Sequence, residues 1–263
     1  MALTIAGSDS GGGAGLQADL KAFAANGVFG ASVVTAVTAQ NTRKVAAVVA
    51  MEPDFVEAQL DAVLSDLPVA AVKTGMLATA GIVRAVGRRA RAGELPNLVV
   101  DPVMVASSGD RLLDEDAVDA YREELFPAAL LITPNLREAG LLVGRALAGP
   151  DDMERAARQL GEAGPAYVLV KGGHLSGDAV DVLYDGRTCT ELRATRVQTA
   201  NVHGTGCTLA ATVAAGLARG RDVPTAVSEA KSFVTGAIQG SAGWHLGEGH
   251  GPLDHFGWGP RTS

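Results

Sequence analysis

Leu3-Thr4-Ile5-Ala6-Gly7-Ser8-Asp9-Ser10-Gly11-Gly12-Gly13-Ala14-Gly15-Leu16, continuing to Ala25, decides the fold class. An apolar run, Leu3–Ala6, opens into a glycine-rich loop, and helical spacing follows over Leu16–Ala25. The same order recurs outward from it. Short apolar runs at Ser32–Val37, Val69–Val72, Leu98–Val100, Leu130–Ile132 and Tyr167–Val170 read as strands. Pro53–Ser65, Ala80–Ala92, Asp114–Phe126 and Asp151–Ala163 have helical periodicity, with Pro53 and the Asp151-Asp152 pair suited to first turns. The later strands lack polar alternation, as parallel strands covered on both faces do. Asp185-Gly186, between Val180–Tyr184 and Arg187–Leu192, predicts a hairpin. Helices over Thr208–Ala218 and Pro224–Gly240 close the chain. With no internal repeat and no Ser/Pro-rich linker, the expectation is α/β: one three-layer domain over residues 1–263, its mainly parallel sheet flanked by helices.

Composition narrows the function. The 263 residues include 33 glycines but only 4% aromatics, so the core must be Ala, Val and Leu, with glycines in tight loops. The net charge of −7 lacks the basic excess that replaces counterions on nucleic acid, and no nucleic-acid partner is expected. One phosphorylated small molecule is still admissible, because a local nest of amides suffices to bind it. The amino terminus has no signal-peptide pattern. The uncharged stretch Ala22–Thr42 is broken by Asn26, Gly27, Gly30, Gln40 and Asn41, so no membrane span is expected. Two cysteines, Cys189 and Cys207, make no disulfide scaffold. A cytoplasmic protein is the reading.

In open α/β sheets ligands sit beyond the carboxyl ends of the strands. There this chain collects Thr38–Thr42, Lys73–Met76, Asp101–Met104, Thr133–Glu138 and Lys171–His174. Gly13–Ala18 matches the dinucleotide pattern G-x-G-x-x-A, but no acid for a ribose lies between Asp19 and Glu52. The loop reads instead as one whose backbone closely approaches a small ligand. The Walker pattern is absent, since Gly-Lys never occurs. Asn201–Thr208, with Gly204 and Gly206, leads into an apolar helix, so its amides can converge on an anion. At that helix start Cys207 is expected to have a lowered pKa. Asp101 and Glu138 are candidate acids for a hydrated divalent cation; a turn or cap, and a solvated first-turn acid, are their competing readings. Lys171 faces either a phosphate or solvent. The histidines form no zinc pattern, and Ser8 and Ser10 lack a nucleophile elbow.

Together these segments resemble the ribokinase-like superfamily and, within it, the hydroxymethylpyrimidine/phosphomethylpyrimidine kinases of thiamine biosynthesis. The resemblance runs from Ile5 to about Phe256. It is carried by Ala6–Lys21, Thr35–Thr42, Asp101–Met104, Thr133–Asn135, Lys171–His174, His203–Thr208 and Gly249–Pro252. It implies phosphorylation of 4-amino-5-hydroxymethyl-2-methylpyrimidine, then of its monophosphate, with ATP and Mg²⁺. It assigns the proton acceptor to Cys207 and the anion hole to Gly204, Thr205 and Gly206. Gln40, Gly7, Asp19, Met76 and Val103 fall to the pyrimidine, Gly7 in a loop closing over it. Lys171, Thr205 and Asn135 fall to the nucleotide, and Asp101 and Glu138 to Mg²⁺. A homodimer is implied. Many superfamily members have Asp where Cys207 stands. Ser107 departs from a common family Lys, which removes a phosphate contact bearing on the second phosphorylation. A pyridoxal kinase of the same branch is the alternative, and a non-catalytic ligand-binding regulator the alternative of another class. The missing ribose acid disfavours a nicotinamide-dependent dehydrogenase.

Overall fold

Alternation along the strands assigns each side chain to one of two layers. In β5 (Leu98–Val100), Leu98 and Val100 join one core cluster while Val99 joins the other. In β7 (Tyr167–Lys171), Val168 and Val170 face the first cluster and Leu169 the second. Both faces of the sheet are therefore covered, as the unbroken apolar runs require.

A computed structural model describes residues 1–104, 115–173, 175 and 177–259. Ser107, Asp114 and His174 lie outside the described residues. The remaining strands are β1 (Ala2–Ser8), β2 (Gly30–Gln40), β3 (Val45–Ala50), β4 (Ala71–Thr74), β6 (Leu131–Ile132), β8 (Ala179–Tyr184) and β9 (Cys189–Ala194). They form one sheet in the order β3-β2-β1-β4-β5-β6-β7-β8-β9, with parallel pairing from β2 through β7. β3, β8 and β9 join by antiparallel pairings. The chain leaves β1 for β2 on one side and returns to β4 on the other, which makes the carboxyl ends of β1 and β4 the switch point.

Helices α1 (Gly15–Ala25), α7 (Thr205–Ala218) and α8 (Val223–Ser241) cover one face. α2 (Pro53–Leu64), α3 (Ala80–Arg91), α4 (Glu115–Ala120), α5 (Leu136–Val143) and α6 (Pro150–Gly161) cover the other. α7 is buried almost all round through Leu209–Leu217, and its many alanines admit close neighbours.

The expected strands and helices are present, with shifted ends. The helix expected over Asp114–Phe126 changes after Ala120 into a wide turn, Tyr121–Leu125, and then a tight one, Phe126–Ala128. β4 extends past Val72 to include Lys73 and Thr74. The Asp185-Gly186 hairpin has a longer loop than a two-residue turn: Asp185 caps it by accepting from the Arg187 and Thr188 amides. β3 and α5 were not anticipated.

Candidate active site

Strand parity places the charged strand-end residues. Lys73 follows Val72, Asp101 follows Val100 and Lys171 follows Val170, and all three valines belong to the α2–α6 face. The three charged side chains therefore emerge on the opposite face, beneath the start of α7. Gly204, the residue before that helix, has φ +84°. A side chain there would overlap the Gly13 carbonyl, so glycine lets the two loops interlock. At Gly206 an added Cβ would lie 3.1 Å from Lys171 Nζ and 3.9 Å from Asp101 Oδ2. The helix amides, the ammonium and the carboxylate thus converge. Thr205 sits in this turn with its hydroxyl donated to the Val202 carbonyl.

Lys171 Nζ donates to Asp101 Oδ1 at 2.7 Å, and Thr133 Oγ1 donates to the same oxygen at 3.0 Å. Burial alone would lower the Lys171 pKa, but Asp101 and Glu138 hold it above its ordinary value. Asp101 is no turn cap; its side chain is buried in this pair. Glu138 does sit in a first turn, where Oε2 accepts from the Asn135 amide at 2.8 Å and completes a capping box. It is buried rather than solvated, and burial pushes it up to about 7, with Asp101 adding and Lys171 opposing. Asn135 spends its side-chain oxygen on the Arg137 and Glu138 amides. Among the described residues no group of three or more ligating side chains could hold a metal alone. Two nearby carboxylates do fit Mg²⁺, which keeps several waters and takes phosphate oxygens for the rest.

Cys207 corrects an expectation. Its thiol is pushed up, not down, to about 11. Burial is the main cause; Lys73 opposes it, while Asp19 and Asp101 add to it. The partial charge of a helix start, about half a unit, does not outweigh that surrounding. Asp19 is corrected too. It is fully buried on α1, with Lys73 Nζ 3.0 and 2.8 Å from its two oxygens and Thr4 Oγ1 donating at 2.6 Å. It faces inward, beneath the site.

Gly7, Met76 and Val103 do come together. Gly7 lies within β1 rather than in a closing loop, and donates its amide to the Met76 carbonyl at 3.1 Å. A Cβ on Gly7 would strike the Met76 methyl, and Met76 packs with Ala36, Ala78 and Val103 as a small apolar patch. Gln40 ends β2, close to Thr38 and His203.

Three contributors were missed. Asp9 organises the glycine loop: Oδ1 accepts from the Gly11 amide, and Oδ2 from the Gly13 and Ala14 amides and from His203 Nε2. An acid two residues before a glycine run is a turn signal that marks it. Lys73 interrupts an otherwise apolar strand, a signal for a buried partner. Thr133 gave no signal of its own.

The chain matches the model of the family described as phosphomethylpyrimidine kinase over residues 9–254. It belongs to that family. A Rhizobium meliloti protein named hydroxymethylpyrimidine/phosphomethylpyrimidine kinase is 54% identical, over 97% of each chain. An ADP complex of Bacillus subtilis pyridoxal kinase superposes with TM-score 0.90 at 42% identity, covering 97% of this chain and 96% of that one. A phosphomethylpyrimidine kinase from Clostridium difficile gives TM-score 0.80 at 41% identity, covering 90% and 98%. Among the described residues no helix is long and apolar enough to cross a membrane.

Proposed function

We propose that this family member uses ATP to phosphorylate the hydroxymethyl group of 4-amino-5-hydroxymethyl-2-methylpyrimidine, and then the monophosphate to the diphosphate, in thiamine biosynthesis. The observation that carries it is the convergence of the α7 amino terminus, Lys171 and Asp101 on Gly206. Phosphoryl transfer needs positioning and charge neutralisation above all, and a helix start with an ammonium supplies both. The name of the Rhizobium meliloti relative supports the substrate.

The amides of Gly204, Thr205 and Gly206, with Lys171, hold the transferred group; Thr205 and Asn135 flank the nucleotide. Asp101 and Glu138 would hold Mg²⁺, which would supply neutralisation of the phosphate charge. Gly7, Met76 and Val103 pack against the flat ring, and Gln40 pairs with its polar edge. Asp19 acts from beneath, through Lys73. Cys207 takes the hydroxyl proton. Since burial pushes its thiol up to about 11, thiolate is scarce at neutral pH, and turnover should climb with pH through the alkaline range.

Single-turnover rates of Cys207→Ala test this. Loss of a general base costs about 10²- to 10⁴-fold, roughly 2.7–5.5 kcal/mol of barrier, with ATP affinity little changed. Cys207→Asp should recover part of the rate and flatten the alkaline rise. A Cys207→Ala rate within about threefold of the parent, far below a base's contribution, would leave Cys207 structural.

Pyridoxal kinase is the second reading, favoured by the likeness to the Bacillus subtilis enzyme; turnover of pyridoxal in preference to the pyrimidine would establish it. We assign a second copy of the chain to the exposed apolar face of β2 and β3. There Val37 pairs with Val49, and Ala39 with Ala47; the two valines are 47% and 63% exposed. Light scattering at the 26.7 kDa monomer mass would refute that dimer. A cytoplasmic location without nucleic-acid or membrane partners completes the proposal; recovery with membranes on fractionation would contradict it.

A further inference from the structure

The turn between β4 and α3 is held at several points, one of them from a distant element. Gly75 donates its amide to the Ile5 carbonyl at 2.9 Å. The Met76 carbonyl accepts from the Gly7 amide at 3.1 Å and from Thr35 Oγ1 at 2.6 Å. Ala78 has φ +63°, a left-handed backbone that alanine rarely adopts. Such a conformation persists only where its surroundings over-determine it, and it is found most at ligand sites. Met76 and Ala78, both from this turn, pack with Ala36 and Val103 in the apolar patch. The distant holder is Tyr121, which opens the wide turn after α4; single turns of that kind recur at functional sites. Its side chain is fully buried, its ring centroid 6.1 Å from that of Phe126. Tyr121 Oη lies 3.2 Å from the Gly75 carbonyl, and the Leu77 amide faces the same oxygen from the other side of Met76. Burial, with Asp101 and Glu138 adding, pushes the phenol above its ordinary value, so it keeps its proton and donates to Gly75.

We propose that Tyr121 is a positioning residue for the ring pocket: its hydroxyl pins the strained turn 75–78 and so fixes where Met76 stands. This rests on Met76 meeting the ring, as in the function proposed above. A phenylalanine at this position would fill the same space beside Phe126, so packing alone does not call for the hydroxyl. The carbonyl and the amide that it meets belong to the residues immediately before and after Met76. Without it the left-handed strain at Ala78 has one restraint fewer, and the turn can relax away from β1. A Cβ on Gly7 would already strike the Met76 methyl, so the fit there is close, and a small drift of the turn changes the footing of the ring. The phosphate end is built on β7 and α7 and does not share this turn.

Calorimetry on the full chain, with hydroxymethylpyrimidine and with ADP as separate ligands, tests this. Tyr121→Phe should weaken pyrimidine binding about three- to tenfold, the scale of one lost hydrogen bond, and leave ADP unmoved. Hydrogen exchange should quicken across the turn 75–78 and stay unchanged in β5. Pyrimidine affinity within about twofold of the parent, less than a typical hydrogen bond supplies, or equal weakening of both ligands, would overturn the proposal. Thr35→Val loosens the same turn through the Met76 carbonyl and should weaken the pyrimidine in the same way. It keeps the test open if the Phe variant does not fold, and no shift there would likewise overturn the proposal. Met76→Ala separates the underlying reading. In that background the side chain that the hydroxyl positions is gone, so adding Tyr121→Phe should cost the pyrimidine no more; additive losses would count against the proposal. Parent-like pyrimidine binding by Met76→Ala means that Met76 does not meet the ring, and the proposal goes with it. A weakened Met76→Ala beside an unaffected Tyr121→Phe overturns the positioning role alone.

Discussion

Two lysines at strand ends of one sheet face, on β4 and β7, are each tied to an aspartate, and they differ in one respect. Lys73 and Asp19 are sealed, both side chains 0% exposed, with Thr4 completing the shell. Lys171 and Asp101 are 11% and 1% exposed, and Gly206 leaves their heads facing the α7 turn. The sealed pair can only shape the field around its neighbours. Burial alone would lower Lys73, yet Asp19, with Cys207 and Asp101, holds it above the ordinary lysine range. The open pair can exchange its partner for a phosphate. Similar chemistry at two strand ends of one sheet thus divides, on the function proposed above, into support and phosphate contact by access alone.

Breaking the sealed pair should have the largest effect. Lys73→Met strands a buried carboxylate and should cost about 3–5 kcal/mol of stability, whereas Lys73→Met with Asp19→Leu should return most of it. Urea unfolding checks both; a single variant as stable as the parent would show that water reaches Asp19 after all. Lys171→Met comes next. It should lower turnover about 10²- to 10³-fold, as loss of a donor aimed at developing charge does, roughly 2.7–4 kcal/mol, and raise the KM for ATP. Its unfolding cost should be the smaller of the two, because Asp101 and Glu138 can then share a proton. If Lys171→Met hurts stability more than turnover, the division between the pairs is wrong.

The smallest effect concerns His255, whose Nε2 meets Thr208 Oγ1 at 2.9 Å in the first turns of α7. Burial, with Lys21 adding, pushes this histidine down to about 4. The unfolded chain protonates it near 6.5, so its contribution is complete above that pH and is lost as pH falls toward 4. Thermal midpoints should drop on acidification across that window, by roughly 2–4 °C per kcal/mol lost. In His255→Gln, which keeps a side chain able to meet Thr208, the drop should be shallower. Identical slopes would show that other groups set the acid limit.

Much of this was legible from residue order. β5 has the expected bounds, and the strand-end segments do meet at one edge. α5 escaped because it is only eight residues long and follows β6 closely; Asn135 and Glu138 at cap spacing were its available signal. β3 escaped because Val45–Ala50 neither alternates nor lies buried; it is a strand through its pairing with β2. At the site, Lys73 with Asp19 and the raised Cys207 thiol depend on which side chains the fold packs around one another. Local pattern carries no such information: a helix start argues for a thiolate, and three-dimensional burial overrules it.

The interlock of Gly204 with the Gly13 carbonyl joins the first loop of the chain to one made near its end. When synthesis has passed Ala194, all nine strands found among the described residues have been made, but α7 and α8, which cover one face, have not. At about 5–20 residues per second, those helices follow over the next several seconds. Until then Val99, Leu131 and Leu169 lack their cover. The segment proposed above to hold phosphate also covers the hydrophobic core, so on that reading the newborn chain closes its interior and completes its site in the same act.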